Sequence, residues 1–143
     1  MVGIIQAAKY LVYLSYEIKI ATLTPLKLQK ILYLAQGWSY VWDGKPLFRA
    51  TFSAWQYGPV NEAVYRHFKK YGRAEIPEIE GVDRLSDINA EETLKAVWRI
   101  YAMYNSASLV ELTHQQKPWK DAYIHGRETI NNEDIKNYFQ STY

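Results

Sequence analysis

The chain contains no cysteine. Disulfides, zinc–thiolate centres and thiol nucleophiles are therefore excluded, and the absence suits a reducing compartment. No apolar run approaches the roughly 18 residues needed to cross a bilayer. The first apolar stretch is interrupted by Lys9 and Glu17, and no basic leader precedes it. No signal peptide is expected, and the expected location is cytoplasmic. Phosphate-binding G-x-x-x-x-G-K, dinucleotide G-x-G-x-x-G, zinc H-E-x-x-H and nucleophile-elbow G-x-S-x-G strings are all missing. There are three histidines, His67, His114 and His125, and no two are spaced to ligate a metal from one helix. No cofactor or metal is expected, and the chain does not read as an enzyme.

Aromatic residues, by contrast, are abundant: thirteen tyrosines, five tryptophans and four phenylalanines make 15% of 143 residues. Such rings carry large contact areas at small entropic cost and suit cores and interfaces alike. The net charge of +2 is unevenly distributed. Met1–Arg73 holds ten basic and three acidic side chains, and Ala74–Tyr143 seven basic and twelve acidic. A basic face directed at an acidic partner is one reading of this division, and a solvated surface is the other.

The length fits one domain, residues 1–143. Ile4, Ala8, Leu11, Val12, Ser15 and Ile18 recur at helical spacing, which predicts a helix over 2–19. Thr24-Pro25 supplies a cap and a first-turn proline for a second helix, whose apolar face is Leu28, Ile31, Leu32, Ala35 and Trp38. Gly37 inside it suggests close approach by another backbone. Asp43-Gly44 marks a turn, and residues 46–56 read as a β-hairpin or an extended element. Gly58-Pro59 is expected to end that element and open a third helix, 59–71, buried through Val60, Ala63, Val64 and Phe68. An acidic connecting loop, 74–89, follows. Asn89 with Glu92 and Ser108 with Glu111 resemble capping boxes for helices 90–105 and 109–115. Pro118 opens a further helix, and Asn131 or Asn132 caps the last. The predicted architecture is mainly α: a single compact domain of five to seven helices with a small β element.

Three stretches carry a resemblance. The first is Thr24-Pro25-Leu26-Lys27-Leu28-Gln29-Lys30 continuing through Gln36-Gly37-Trp38. The second is Gly44-Lys45-Pro46-Leu47-Phe48 with Phe52-Ser53-Ala54-Trp55-Gln56-Tyr57-Gly58-Pro59-Val60. The third is Ser108–His114 with Pro118-Trp119-Lys120-Asp121-Ala122. In order and spacing they resemble the Panacea, or SocA-like, antitoxin family. The resemblance implies an antitoxin, often carried on prophages and other mobile elements. It also implies a partner: a cognate toxin encoded nearby, neutralised by direct contact or delivered to a protease complex.

The residues that the resemblance and the residue pattern suggest for toxin contact are Lys27, Gln29, Lys30, Tyr33, Gln36, Trp55, Tyr57 and His114. Gln29, Tyr33, Gln36 and Tyr40 form a polar–aromatic stripe along the second helix, which either faces a partner or bonds the hairpin backbone within the domain. Trp55 either is displayed by its loop or lies in the core, and Trp119 is expected in the core. His114 either bonds a carbonyl, touches a partner or serves as an acid or base. The alternative function is nucleic-acid binding through Lys27, Lys30, Arg49, Arg66, Lys69, Lys70 and Arg73 interleaved with aromatics.

Overall fold

The computed structural model describes residues 1–143. Seven α-helices and a three-stranded sheet follow in the order α1 (Ile4–Glu17), α2 (Pro25–Asp43), β1 (Phe52–Trp55), β2 (Gly58–Val60), α3 (Glu62–Phe68), α4 (Ile88–Tyr101), α5 (Ser106–His114), α6 (Lys117–Ile124), β3 (Thr129–Ile130) and α7 (Asn132–Thr142). A 3₁₀ turn, Lys69–Tyr71, extends α3. The mainly helical single domain is thus as the sequence predicts, and no helix is long and apolar enough to cross a membrane.

Helix α2 runs through the middle of the molecule, packed by α1, α4, α5, α7 and β2. Every residue from Lys27 to Gly37 is buried. A helix enclosed on all sides has no solvent face for its polar residues, so each of them needs an internal partner. The antiparallel sheet has the order β2-β1-β3, with Ser53 opposite Val60 and Phe52 opposite Ile130. It lies across one side of α2.

Short polar side chains set the helix starts. Thr24 accepts from Lys27 N (3.3 Å), Asn61 from Val64 N (3.0 Å), Asp87 from Ala90 N (3.1 Å), Asn105 from Ser108 N (2.8 Å) and Asn131 from Glu133 N (2.7 Å). Two expected capping boxes are therefore corrected. Asp87 and Asn105 are the caps; Asn89 and Ser108 lie inside their helices, because the nearer upstream acceptor captures the free N–H groups. The third helix also begins later than expected. Gly58 and Pro59 pair in β2, and only from Asn61 does the chain turn helical, which leaves Ala63 exposed. The acidic loop is anchored at Ile76, which is buried and donates its N–H to Leu23 O (2.8 Å).

Gly37 does sit at a close approach, but the neighbour is a ring, not backbone. A Cβ there would fall 2.4 Å from carbons of Phe139 in α7. Gly37→Ala should therefore destabilise the fold by about 1–3 kcal/mol. The clash outweighs the roughly 1 kcal/mol that alanine gains over glycine in a helix interior. Urea denaturation of the variant measures the difference, and a stabilised variant would show that α7 can move aside.

Candidate partner-binding site

The link between β1 and β2 projects Trp55, Gln56 and Tyr57 from the surface, with Tyr57 60% exposed and Trp55 36% exposed. Gly58 closes the turn at φ 104°, a conformation that favours glycine. A Cβ at that position would also meet Lys30 Cε and Thr113 Oγ1, each at 2.8 Å.

The tip is braced from behind. Trp119 Nε1 donates to Trp55 O (2.8 Å), and His114 Nε2 donates to Gln56 O (2.8 Å). Lys30 Nζ donates to Pro59 O (2.9 Å). Gln29 makes a reciprocal pair with the Asn61 backbone, donating through Nε2 to its O (3.0 Å) and accepting its N–H at Oε1 (2.8 Å). The imidazole of His114 stacks on Trp119, centroids 4.0 Å apart, and Trp119 stacks on Tyr123 at 4.7 Å. The three stretches that carry the family resemblance thus meet at one place, the hairpin. The helix and the Ser108–Ala122 segment supply side chains, and the hairpin supplies the carbonyls.

Five of the eight residues proposed for toxin contact, Lys27, Gln29, Lys30, Tyr33 and Gln36, are buried, and Gln29 and Gln36 bond the backbone of the 47–61 segment within the domain. Gln29 and Lys30 hold the hairpin. Gln36 accepts from Leu47 N (2.9 Å) and Phe48 N (3.2 Å) and donates to Phe48 O (3.0 Å). Tyr33 is enclosed edge-on by Phe52 and Phe139. Burial raises its hydroxyl well above the ordinary tyrosine pKa. Lys27 donates to Ala102 O and lies 5.7 Å from the centroid of Trp98. The reason for burial is common to all five: α2 is central, so a stripe along it meets the rest of the chain and not solvent. Of the five, Tyr33 alone makes no side-chain hydrogen bond; its hydroxyl is buried without a partner. Trp55 and Tyr57 remain at the surface, with His114 half-buried behind them. Trp119 is buried, as expected for a core residue.

Lys30 is the most perturbed cation. It is fully buried with no carboxylate partner, and desolvation lowers its pKa from 10.5 to about 7. Burial lowers Lys27 as well. Neither can meet a phosphate, which removes two of the seven cations counted for nucleic-acid binding.

Beside the tip lies a cavity of about 660 Å³ whose apolar walls include Leu26, Trp55, Tyr57, Val64, Tyr65 and Phe68. Trp55 and Tyr65 meet edge to face at 5.0 Å. Lys69 and Arg73 stand on the rim. Sequence reasoning placed Lys69 among the basic residues but missed Leu26 and Tyr65. Tyr65 falls off the buried stripe of α3, which is the signal that it faces outward; Leu26 gave no such signal, since Lys30 and Tyr33 on its side of α2 are fully buried.

The family model described as "Antitoxin SocA-like, Panacea domain" matches residues 28–120. Among curated proteins, Antitoxin SocA of Caulobacter vibrioides (strain NA1000 / CB15N) is 49% identical over 47 residues, 33% of this chain and 25% of the relative. The match thus spans about a quarter of that relative's length. No solved structure matches the chain.

Proposed function

From its membership of the Antitoxin SocA-like, Panacea domain family, to which this chain belongs, we propose that the protein is the antitoxin of a toxin–antitoxin pair. It neutralises a cognate toxin, encoded beside it, by direct protein–protein contact in the cytoplasm. The observation that carries the reading is the hairpin tip. Exposed aromatic rings stand on a backbone whose carbonyls at Trp55, Gln56, Pro59 and Asn61 are each held by a side chain from another element. Rings presented on a rigid support bind without a large ordering cost, which is the property of an interface anchor. The role proposed is one of binding, with His114 bracing the tip through a main-chain carbonyl and an indole face.

The experiment is expression of the neighbouring small open reading frames, alone and together with this protein. One of them should arrest growth alone and be harmless in the pair, and the two proteins should co-purify. Tyr57→Ala should leave the melting temperature nearly unchanged, because the ring is exposed. It should weaken toxin binding by about 1–2 kcal/mol, roughly 5- to 30-fold. Full neutralisation and unchanged affinity in that variant would remove the tip from the interface. Whether neutralisation runs through a protease complex is read from toxin levels, which fall in the pair only if the protein acts as an adaptor.

A further inference from the structure

The groove beside the tip has a chemistry of its own. Its walls are apolar, its two charged lining residues, Lys69 and Arg73, are cations, and no Asp or Glu lines it. Neither cation is paired with a carboxylate of the protein. Lys69 begins the 3₁₀ turn after α3, and Arg73 follows Gly72, whose positive φ of 57° ends that turn. The volume of about 660 Å³ lies within the range of cavities that enclose a drug-sized ligand, roughly 300–1,000 Å³. It accommodates a few side chains, not a domain.

We propose that this groove receives an amphipathic segment of the protein partner, inserting large apolar side chains between Leu26, Val64 and Tyr65 and setting one or two carboxylates against Lys69 and Arg73. The proposal rests on the reading of the chain as a partner-binding protein and adds what the partner must carry. Charge complementarity selects the acidic occupant. A carboxylate brought to the rim of an apolar groove meets unpaired cations in surroundings that screen them less than bulk water does. Side chains, not main-chain pairing, make the contact: the neighbouring strand β2 has three residues, and Pro59 at its centre has no N–H to donate. A single-stranded nucleic acid fits less well. Its affinity comes from neutralising a run of phosphates, and the groove offers two cations.

The test begins with selection of a random 12-residue phage-displayed peptide library on the full chain. The selected peptide is then labelled with fluorescein and titrated by anisotropy. Selected sequences should combine Trp, Phe, Leu or Met with Asp or Glu. Binding should weaken at least 10-fold in the Lys69→Glu/Arg73→Glu double variant and in Tyr65→Ala, all at exposed positions, with melting temperatures near that of the parent. A peptide with its acids replaced by lysine should bind the double variant better than the original peptide does, a charge swap that nonspecific attraction to the folded chain would not place at this rim. Failure to select any peptide, a basic consensus, or binding indifferent to these variants overturns the proposal. So does tighter binding of a labelled 12-nucleotide oligothymidine with the same sensitivity to the variants, or a dimer of the chain, seen by sedimentation, that Tyr65→Ala dissolves. The two readings separate cleanly. If the double variant still neutralises the toxin at full strength, the groove assignment falls and the antitoxin reading stands. If peptides bind as expected while no neighbouring gene is toxic, the antitoxin reading falls and the groove stands.

Discussion

Gln36→Ala should lower stability by about 3–5 kcal/mol, without touching any surface a partner could reach. The side chain is fully buried and satisfies three backbone groups at once: the N–H groups of Leu47 and Phe48, and the carbonyl of Phe48. Alanine leaves them facing a cavity. Each unsatisfied buried group costs about 1–3 kcal/mol, and partial relaxation of the 46–50 segment keeps the sum below its upper bound. Phe48 and Leu47 are themselves buried, so the segment cannot swing out to water without exposing them. The loss is large against the 5–15 kcal/mol total of an ordinary domain. Urea denaturation gives the free energy, and toxin binding per folded molecule should remain that of the parent. A variant of unchanged stability that fails to bind would reverse the assignment and return Gln36 to the interface.

The second large effect is a pH dependence that originates at Lys30. Its pKa is about 7 in the folded protein, and an exposed lysine in the unfolded chain keeps the ordinary value near 10.5. Between those values the unfolded state holds a proton that the folded state lacks. Stability therefore rises with pH across this interval, by up to about 1.4 kcal/mol per unit for one proton. Below about pH 7 both states are protonated, and the cost of a buried ammonium is fully present. Lys27, also lowered by burial, adds in the same direction. Tyr33 opposes it only in more alkaline solution, because its raised pKa costs stability once unfolded tyrosine ionises near pH 10. From pH 7.5 to 9 the unfolding free energy should climb by about 2 kcal/mol. Lys30→Met should flatten most of that slope. An unchanged slope in the variant would mean that Lys30 is solvated in solution or shares its charge with a group outside this arrangement.

These two side chains explain why the second helix misleads a reader of the sequence. Its polar residues recur at helical spacing, as an exposed stripe would. What Gln29, Lys30 and Gln36 do instead is hold the segment between Leu47 and Asn61 against the helix. Periodicity reports which residues share a face, not whether that face meets water or another part of the same chain. Gln29, Lys30 and Gln36 find their acceptors 12 to 32 residues away, at backbone atoms whose positions depend on the path of the hairpin.

Local chemistry settled a good deal by itself. Thr24-Pro25 starts α2, one of the Asn131-Asn132 pair starts α7, and Gly44 with φ 69° ends α2, because caps, first-turn prolines and left-handed glycines act within a few residues of where they stand. The absence of cysteine, of a membrane-length apolar run and of phosphate-binding loops was likewise final on reading. The family followed from three strings and their order. Their common purpose did not, since only the tertiary structure brings Lys30, His114 and Trp119 to the back of one hairpin. The groove was less legible still. Leu26, Tyr65, Lys69 and Arg73 come from the start of α2, from α3 and from the turn and loop beyond it. A concave surface is a property of how those elements pack, and nothing in the spacing of four residues along the chain says that they will enclose the same space.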